Sequence, residues 1–232
     1  MAEQRVAIVT GANRGIGLEV VRQLAEREYR VVLGSRDIDK GEAAAKKVRA
    51  GAGVLVRQLD VTDQSDIDRL RDEIAKTFGS LHVLVNNAAI HYDTDQNAFD
   101  ADLQIVQEAL DTNLYGAWRM CKTFIPLMRK SRHARIVNVS SEAGSLTEMG
   151  GGTPAYAVSK AALNALTRIL AAELRRDRIL VNAVSPGWVA TDMGGPGGRP
   201  VRAGAASIMW AVELPDSGPT GGFFRDGRPV PW

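Results

Sequence analysis

The strongest constraint on the fold is a repeated alternation of short β-branched runs with segments of helical periodicity. Arg5-Val-Ala-Ile-Val-Thr10 is such a run, apolar at successive positions as a strand buried on both faces must be. A glycine-rich turn follows, and residues 16–26 then place Ile16, Val20, Val21, Leu24 and Ala25 on one helical face. The alternation continues along the chain. Strands are expected at 31–33, 54–59, 81–85, 135–140, 179–184 and 222–225, and helices at 39–49, 64–78, 103–129, 156–175 and 203–212. Thr62 or Asp63 is the expected cap of the third helix, and Pro126 is expected to kink or end the long fourth stretch. Such alternation implies right-handed crossovers, hence a doubly wound parallel sheet of about seven strands with helices on both faces.

Nothing breaks this pattern into two domains. The 232 residues, 45% hydrophobic and 24% charged, suffice for one large core in a single domain over 1–232, its two halves at about 1–135 and 136–232. Twenty-nine Lys and Arg against 27 Asp and Glu leave a net charge of +2, which argues against a nucleic-acid or membrane surface. One cysteine, Cys121, excludes an internal disulfide, and with three scattered histidines it leaves no Cys/His zinc site. No apolar run reaches the ~18 residues that span a bilayer, and a strand pattern begins within five residues, leaving no room for a signal peptide. A cytoplasmic protein is expected. Two late glycine-rich stretches, 144–152 and 194–198, read as mobile loops.

The turn after the first strand, Thr10-Gly-Ala-Asn-Arg-Gly-Ile-Gly17, carries glycines at 11, 15 and 17. Glycine lets a backbone turn sharply and approach a pyrophosphate without a Cβ in the way. The following helix aims its free N–H groups and positive dipole end at that anion. The spacing is G-x-x-x-G-x-G, and a plain strand-to-helix turn is the rival reading. Tyr156-Ala-Val-Ser-Lys160 is the second signal: four helical residues rise ~6 Å and put both side chains on one face. A phenol titrates near pH ~10, and lowering that by ~3 units requires ~4 kcal/mol of differential stabilisation. Lys160 alone falls short of that; a cationic nicotinamide ring beside it would supply the rest. Taken alone, the pair reads equally as a surface pair.

Together these residues resemble the classical short-chain dehydrogenase/reductase family, over nearly the whole chain, and so imply its Rossmann fold. The glycine turn matches T-G-x-x-x-G-x-G, Asp60-Val61 resembles the adenine-contacting pair, and Asn86-Asn-Ala-Ala89 resembles N-N-A-G. Asn113, Ser141, Tyr156 and Lys160 fall where the family places its tetrad, and 186–192 matches the segment over the nicotinamide. The resemblance implies that Tyr156 is the acid in reduction and the base in oxidation, and that Ser141 steadies the substrate oxyanion. It implies further that Lys160 holds the ribose and tunes Tyr156, and that Asn113 positions a relaying water. Ser140 is the rival serine; Ser141 is preferred because two residues and a glycine, Gly144, follow it. The implied cofactor contacts are Gly11, Asn13, Arg14, Gly15, Ile16, Gly17, Ser35, Arg36, Asp60, Val61, Asn87, Ala88, Tyr156, Lys160, Pro186, Gly187, Val189 and Thr191.

Dinucleotide folds select NAD with an acid on the ribose 2′-hydroxyl and NADP with an arginine near the 2′-phosphate. Ser35 occupies the acidic position, Arg36 follows, and Arg14 reaches the same region, so NADP(H) is favoured over NAD(H). Asp37 is the counter-candidate, one residue out of register. Two departures stand out: Ala89 for the last glycine of N-N-A-G, and Glu28 where a helix-ending glycine is expected. His82 reads as a structural histidine and Cys121 as a buried helix residue.

The resemblance is nearest to carbonyl-reductase-like members, through Gly17-Leu-Glu-Val-Val, Ser35-Arg-Asp and Pro219-Thr-Gly-Gly-Phe-Phe-Arg-Asp226. It implies reduction of aldehydes or ketones to alcohols. An NAD-dependent alcohol or sterol dehydrogenase, and a non-catalytic NADP-binding regulator, are the competing readings. Fourteen residues separate Ser141 from Tyr156, without the long insertion of monomeric carbonyl reductases. A homodimer or homotetramer packed through helices 103–129 and 156–175 is therefore expected. Beside Ser141, the substrate wall is assigned to His91, Tyr92, Glu142, Met149, Trp188 and Met193.

Overall fold

The computed structural model describes residues 4–48 and 53–232. Its sheet has eight strands: β1 (Val6–Val9), β2 (Arg30–Ser35), β3 (Val54–Gln58), β4 (Val83–Asn86), β5 (Arg135–Val139), β6 (Leu180–Val184), β7 (Phe223–Arg225) and β8 (Arg228–Pro229). The order is β3-β2-β1-β4-β5-β6-β7-β8, and every pair is parallel except the last. The expected doubly wound sheet is present, with the two-residue β8 added at its edge. Seven α-helices cover it: α1 (Gly15–Glu26), α2 (Ile38–Ala45), α3 (Gln64–Thr77), α4 (Leu103–Ala109), α5 (Ala117–Met128), α6 (Pro154–Glu173) and α7 (Val201–Val212).

Strand periodicity divides the core in two. Side chains alternate across a strand, so Val6 and Ile8 of β1 face Ile67 and Ile74 of α3, Phe124 of α5 and Leu166 of α6. Ala7 and Val9 face Val20 and Leu24 of α1, Ala44 of α2 and Ile208 of α7. Each fully buried Leu, Ile, Val or Phe contributes about 1.5–3 kcal/mol, and both layers are filled with them. The order reverses at β1, which pairs β2 on one side and β4 on the other. Chain leaving the carboxyl ends of β1 and β4 therefore diverges, opening a crevice at the switch point.

Several local expectations need correction. The fourth helical stretch is not continuous α-helix: α4 and α5 are joined by a π-helical segment, Leu110–Gly116. Pro126 neither ends nor interrupts it, because it sits in the last turn of α5, which runs on to Met128. Helix α2 stops at Ala45, short of the expected end at Arg49, which lies outside the described residues. Asp63, not Thr62, caps α3, its carboxylate accepting from Ser65 N at 2.8 Å.

In the 194–198 stretch a Cβ on Gly194 would stand 2.2 Å from Val189 O and one on Gly198 2.4 Å from Ala190 N, whereas Gly150, Gly151, Gly152 and Gly195 have open space around them. His82 Nδ1 accepts from Val6 N at 3.1 Å, a structural role between two strands. Among the described residues no helix is long and apolar enough to cross a membrane.

Candidate active site

The crevice at the switch point is built from backbone. Gly11 has φ +61°, and a Cβ there would stand 2.8 Å from Ala88 Cα; a Cβ on Gly17 would stand 2.5 Å from Asn87 Nδ2. The turn after β1 is tied to the turn after β4. Thr10 Oγ1 accepts from Asn87 N and Ala88 N at 3.0 and 2.9 Å, and Asn87 Nδ2 donates to Thr10 O and Gly11 O at 2.9 and 3.0 Å. Asn87 and Ala88 thus shape the cradle by holding its glycines. Ala89 lies outside the positive-φ region, so its extra methyl costs no backbone strain.

Helix α1 opens at Gly15 with Arg14 extended before it and no side chain capping its first N–H groups. Those orphan donors fit an anion, with Asn13, Arg14 and Ile16 around them. Thr191 closes the far wall, its Cγ2 3.4 Å from where a Gly15 Cβ would be. These features fit a dinucleotide pyrophosphate.

At the end of β2, Ser35 is buried and donates to Asp37 O at 2.6 Å, while Arg36 is exposed. The Asp37 carboxylate is committed to the start of α2, accepting from Lys40 N at 3.1 Å and pairing with Lys40 Nζ at 3.1 Å. The amide and the ammonium hold it below the usual carboxylate range. Arg14 pairs with Asp192 at 2.8 Å, both exposed. Asp60 Oδ1 accepts from Thr62 N and Oγ1, and Val61 packs beneath Gly116.

Tyr156 and Lys160 lie one turn apart on α6, with Ser141 facing them from the end of β5. Enclosure raises the Tyr156 phenol above its ordinary value, and hydrogen bonding with Ser141 pulls it partly back. Burial also lowers Lys160 to about 8. Its Nζ donates to Val139 O at 2.9 Å and lies 5.5 Å from the Tyr156 ring centroid. Ser140 is buried and donates to Asn164 Oδ1 at 2.7 Å, which leaves Ser141 as the serine at the site.

Asn113 sits in the π-helical segment, a distortion frequent at functional sites. Its Oδ1 accepts from Ile90 N at 2.8 Å, and its Nδ2 donates to Ile90 O at 3.0 Å and Ser159 Oγ at 2.9 Å. Both ends of the Asn113 amide are engaged, holding the loop after β4 against α6.

That loop contributes what sequence reasoning missed. Thr153, at the N-cap of α6, is left-handed with φ +46° and makes no cap bond. Asp93 replaces it from 62 positions away: its Oδ2 accepts from Ala155 N at 2.7 Å and Tyr156 N at 3.2 Å. No local pattern marks this, since a cap is sought beside the helix it serves. His91, assigned to the substrate wall, stacks on Tyr156 with centroids 4.4 Å apart.

Glu142, also assigned to the wall, is paired with Arg225 of β7 at 2.9 and 3.1 Å. Arg225 lies against Gly187, whose φ is +70° and whose added Cβ would meet its guanidinium at 3.0 Å. The ion pair ties the serine turn to the segment containing Pro186 and Val189. Tyr92, Met149, Trp188 and Met193, also assigned to the wall, are exposed, and Trp188 Nε1 donates to Gly194 O at 2.6 Å.

Comparison with known proteins matches this arrangement. The short chain dehydrogenase family model matches residues 5–199, from the first strand through the folded turn over the crevice. Carbonyl reductase [NADPH] 1 of Sus scrofa is 35% identical, covering 98% of this chain and 94% of its own. (+)-Neomenthol dehydrogenase of Arabidopsis thaliana is 36% identical, covering 97% of each chain. NADPH-bound carbonyl reductase from chicken fatty liver superposes with a TM-score of 0.89 at 28% identity, covering 99% of this chain and 100% of that one. The pig alignment runs over 277 positions against 232 residues here, so that relative carries stretches this chain lacks. With glycine cradle, switch-point crevice and sheet order all in agreement, the chain belongs to the short-chain dehydrogenase family and is an oxidoreductase.

Proposed function

We propose that this protein reduces aldehydes and ketones to alcohols with NADPH, Tyr156 acting as the general acid. The observation that carries the reading is the half-buried Tyr156 hydrogen-bonded beside Ser141, with Lys160 buried one turn behind. A bound nicotinamide cofactor supplies the hydride. Ser141 donates a hydrogen bond to the carbonyl oxygen, where negative charge develops and a preplaced donor counts most. Tyr156 delivers its proton to the same oxygen. Lys160, charged below about pH 8, favours the phenolate left behind. Asn113 steadies this assembly by holding the loop after β4 against α6.

The preference for NADPH is supported by Asp37, whose carboxylate serves as the cap of α2 through Lys40 N, and by Arg36 exposed beside buried Ser35. Exposed ion pairs such as Arg14–Asp192 are worth little, so Arg14 is available to a 2′-phosphate. Pig carbonyl reductase and chicken liver carbonyl reductase, both named with NADPH, point the same way. Tyr92, Met149, Trp188 and Met193, exposed and assigned to the substrate wall, favour apolar carbonyls. Tyr115, Trp118, Val158 and Ile169 are exposed on the α5 and α6 side, which supports a homo-oligomer. A reducing cytoplasm suits the buried thiol of Cys121, which burial pushes up to about 12.

Initial rates with NADPH and NADH against aromatic and aliphatic ketones and aldehydes test the reading. Turnover with NADPH that falls about 10²–10⁴-fold in Tyr156→Phe supports it. Equal turnover in the variant removes Tyr156 from the role of acid.

A further inference from the structure

The loop after β4 places a carboxylate and an imidazole against the tyrosine, and neither is needed for the chemistry above. Asp93 is 1% exposed. One of its oxygens holds the first amides of α6, that of Tyr156 included. The other, Oδ1, is buried without a partner, as is His91 Nε2, and the two stand 3.9 Å apart. That gap is too long for a hydrogen bond. A buried unpaired polar atom is costly, and each of these two stands within reach of the other. A shift of about 1 Å joins them.

We propose that Asp93 and His91 are positioning residues that clamp Tyr156. One oxygen of the carboxylate fixes the tyrosine's backbone, and the other orients the imidazole lying on its ring. Because a carboxylate only accepts, the contact selects the Nε2–H tautomer of His91 and leaves Nδ1 as an acceptor. The charged and titratable groups facing the imidazole are Asp93 on its own loop and Tyr156 and Lys160 on α6. Burial and Lys160 keep it neutral against the pull of Asp93. The ring is thereby an uncharged plate, and the direction in which the phenol points is set from both its backbone and its face.

This proposal rests on Tyr156 being the acid, so Tyr156→Phe is measured in parallel. Asp93→Asn keeps α6 capped, since Asn caps as well as Asp, but presents an N–H₂ toward His91 Nε2. His91→Phe keeps a stacked ring and removes the donor. Each variant is expected to lower kcat with a ketone about 10-fold, because small misplacements at a reacting centre are expensive. The KM for NADPH and the melting temperature are expected to stay near those of the native protein. The double variant is expected to be no worse than the weaker single one, as for two ends of one contact.

In ¹⁵N spectra, His91 is expected as the Nε2–H tautomer in the native protein and as Nδ1–H in Asp93→Asn. Native kcat in His91→Phe, additive losses, or an Nδ1–H tautomer in the native protein overturns the clamp. If Tyr156→Phe is inactive while His91→Phe is not, the clamp alone is wrong. If Tyr156→Phe turns over normally, the assignment of the acid is wrong.

Discussion

Helices α1 and α6 both begin without a capping side chain of their own, yet their first turns have opposite fates. Arg14 precedes α1 in an extended conformation and leaves the leading N–H groups open toward the crevice. Thr153 precedes α6 in the left-handed region, and its leading N–H groups are filled by Asp93. An unfilled N-terminus is a half-positive site that waits for an anion, and a filled one is a fixed anchor. The carboxyl end of one sheet thus carries an open helix start beside the glycine turn and an anchored one at Tyr156. That suits the proposed function: a cofactor exchanged at one helix and a proton donor held still at the other.

The largest expected effect lies at the open end. Gly17→Ala puts a methyl 2.5 Å from Asn87 Nδ2 and 2.8 Å from Gly11 O. Asn87 cannot retreat without breaking its bonds to Thr10 O and Gly11 O. The turn must deform, and NADPH affinity is expected to fall about 100-fold, close to 2.7 kcal/mol. Titration by cofactor fluorescence measures this, and a Kd within threefold of native would detach the glycine turn from the cofactor. Next comes the filled end. Asp93→Ala empties two buried amides and is expected to cost about 1–3 kcal/mol in urea unfolding. Asp93→Asn is expected to cost less than about 1 kcal/mol. Equal losses in the two variants would show that charge, not capping, is what α6 needs.

The contrast also explains what was legible beforehand. The open end is written in local terms: Gly11 needs a positive φ, Gly17 needs the absence of a Cβ, and both demands fall on the residue itself. The parallel sheet covered on both faces likewise follows from alternation and crossover handedness, whereas the strand order does not. The filled end depends on Asp93 meeting a helix 62 residues on, and nothing near Asp93 or Thr153 announces it. His91 was placed at the site, but as a wall of the substrate pocket, because stacking on Tyr156 depends on how the loop after β4 folds back. The π-helical turn at Asn113 was missed for a similar reason. Its i+5 bonding is selected by the loop that Asn113 must reach, not by helical periodicity. The packing of Gly194 and Gly198 against Val189 and Ala190 is likewise invisible without the fold.

A smaller effect separates stability from function one turn into α6. Lys160 titrates near 10.5 when unfolded and at about 8 when folded, burial being the cause. Below pH 8 it is protonated in both states and its burial is a cost. Between pH 8 and 10.5 the unfolded chain binds the extra proton, so this contribution becomes more favourable as pH rises. Lys160→Met is expected to remove that slope, to stabilise the protein at pH 7 by about 1–3 kcal/mol, and to abolish most turnover. Chemical unfolding at pH 7, 8 and 9.5 checks it, and an identical slope in both proteins would mean the ammonium is not buried as described.

The smallest effect tests strain far from both helix starts, at the end of α1. Tyr29 N donates to Leu24 O at 3.2 Å and Glu28 N to Ala25 O at 3.1 Å, the paired bonds of a Schellman ending. Tyr29 and Leu24 are both buried in the same core layer, as that motif favours. The motif places Glu28 at φ +63°, where a Cβ costs roughly 1 kcal/mol. Glycine there keeps both bonds and relieves the strain, at a smaller entropic cost in the unfolded chain. Glu28→Gly is expected to stabilise the protein by up to about 1 kcal/mol with kcat and KM unchanged. A loss of stability would mean that the Glu28 side chain contributes more than its backbone strain removes. Left-handed Thr153, by contrast, precedes the helix that Asp93 anchors, so relief of strain there is expected to alter turnover as well as stability.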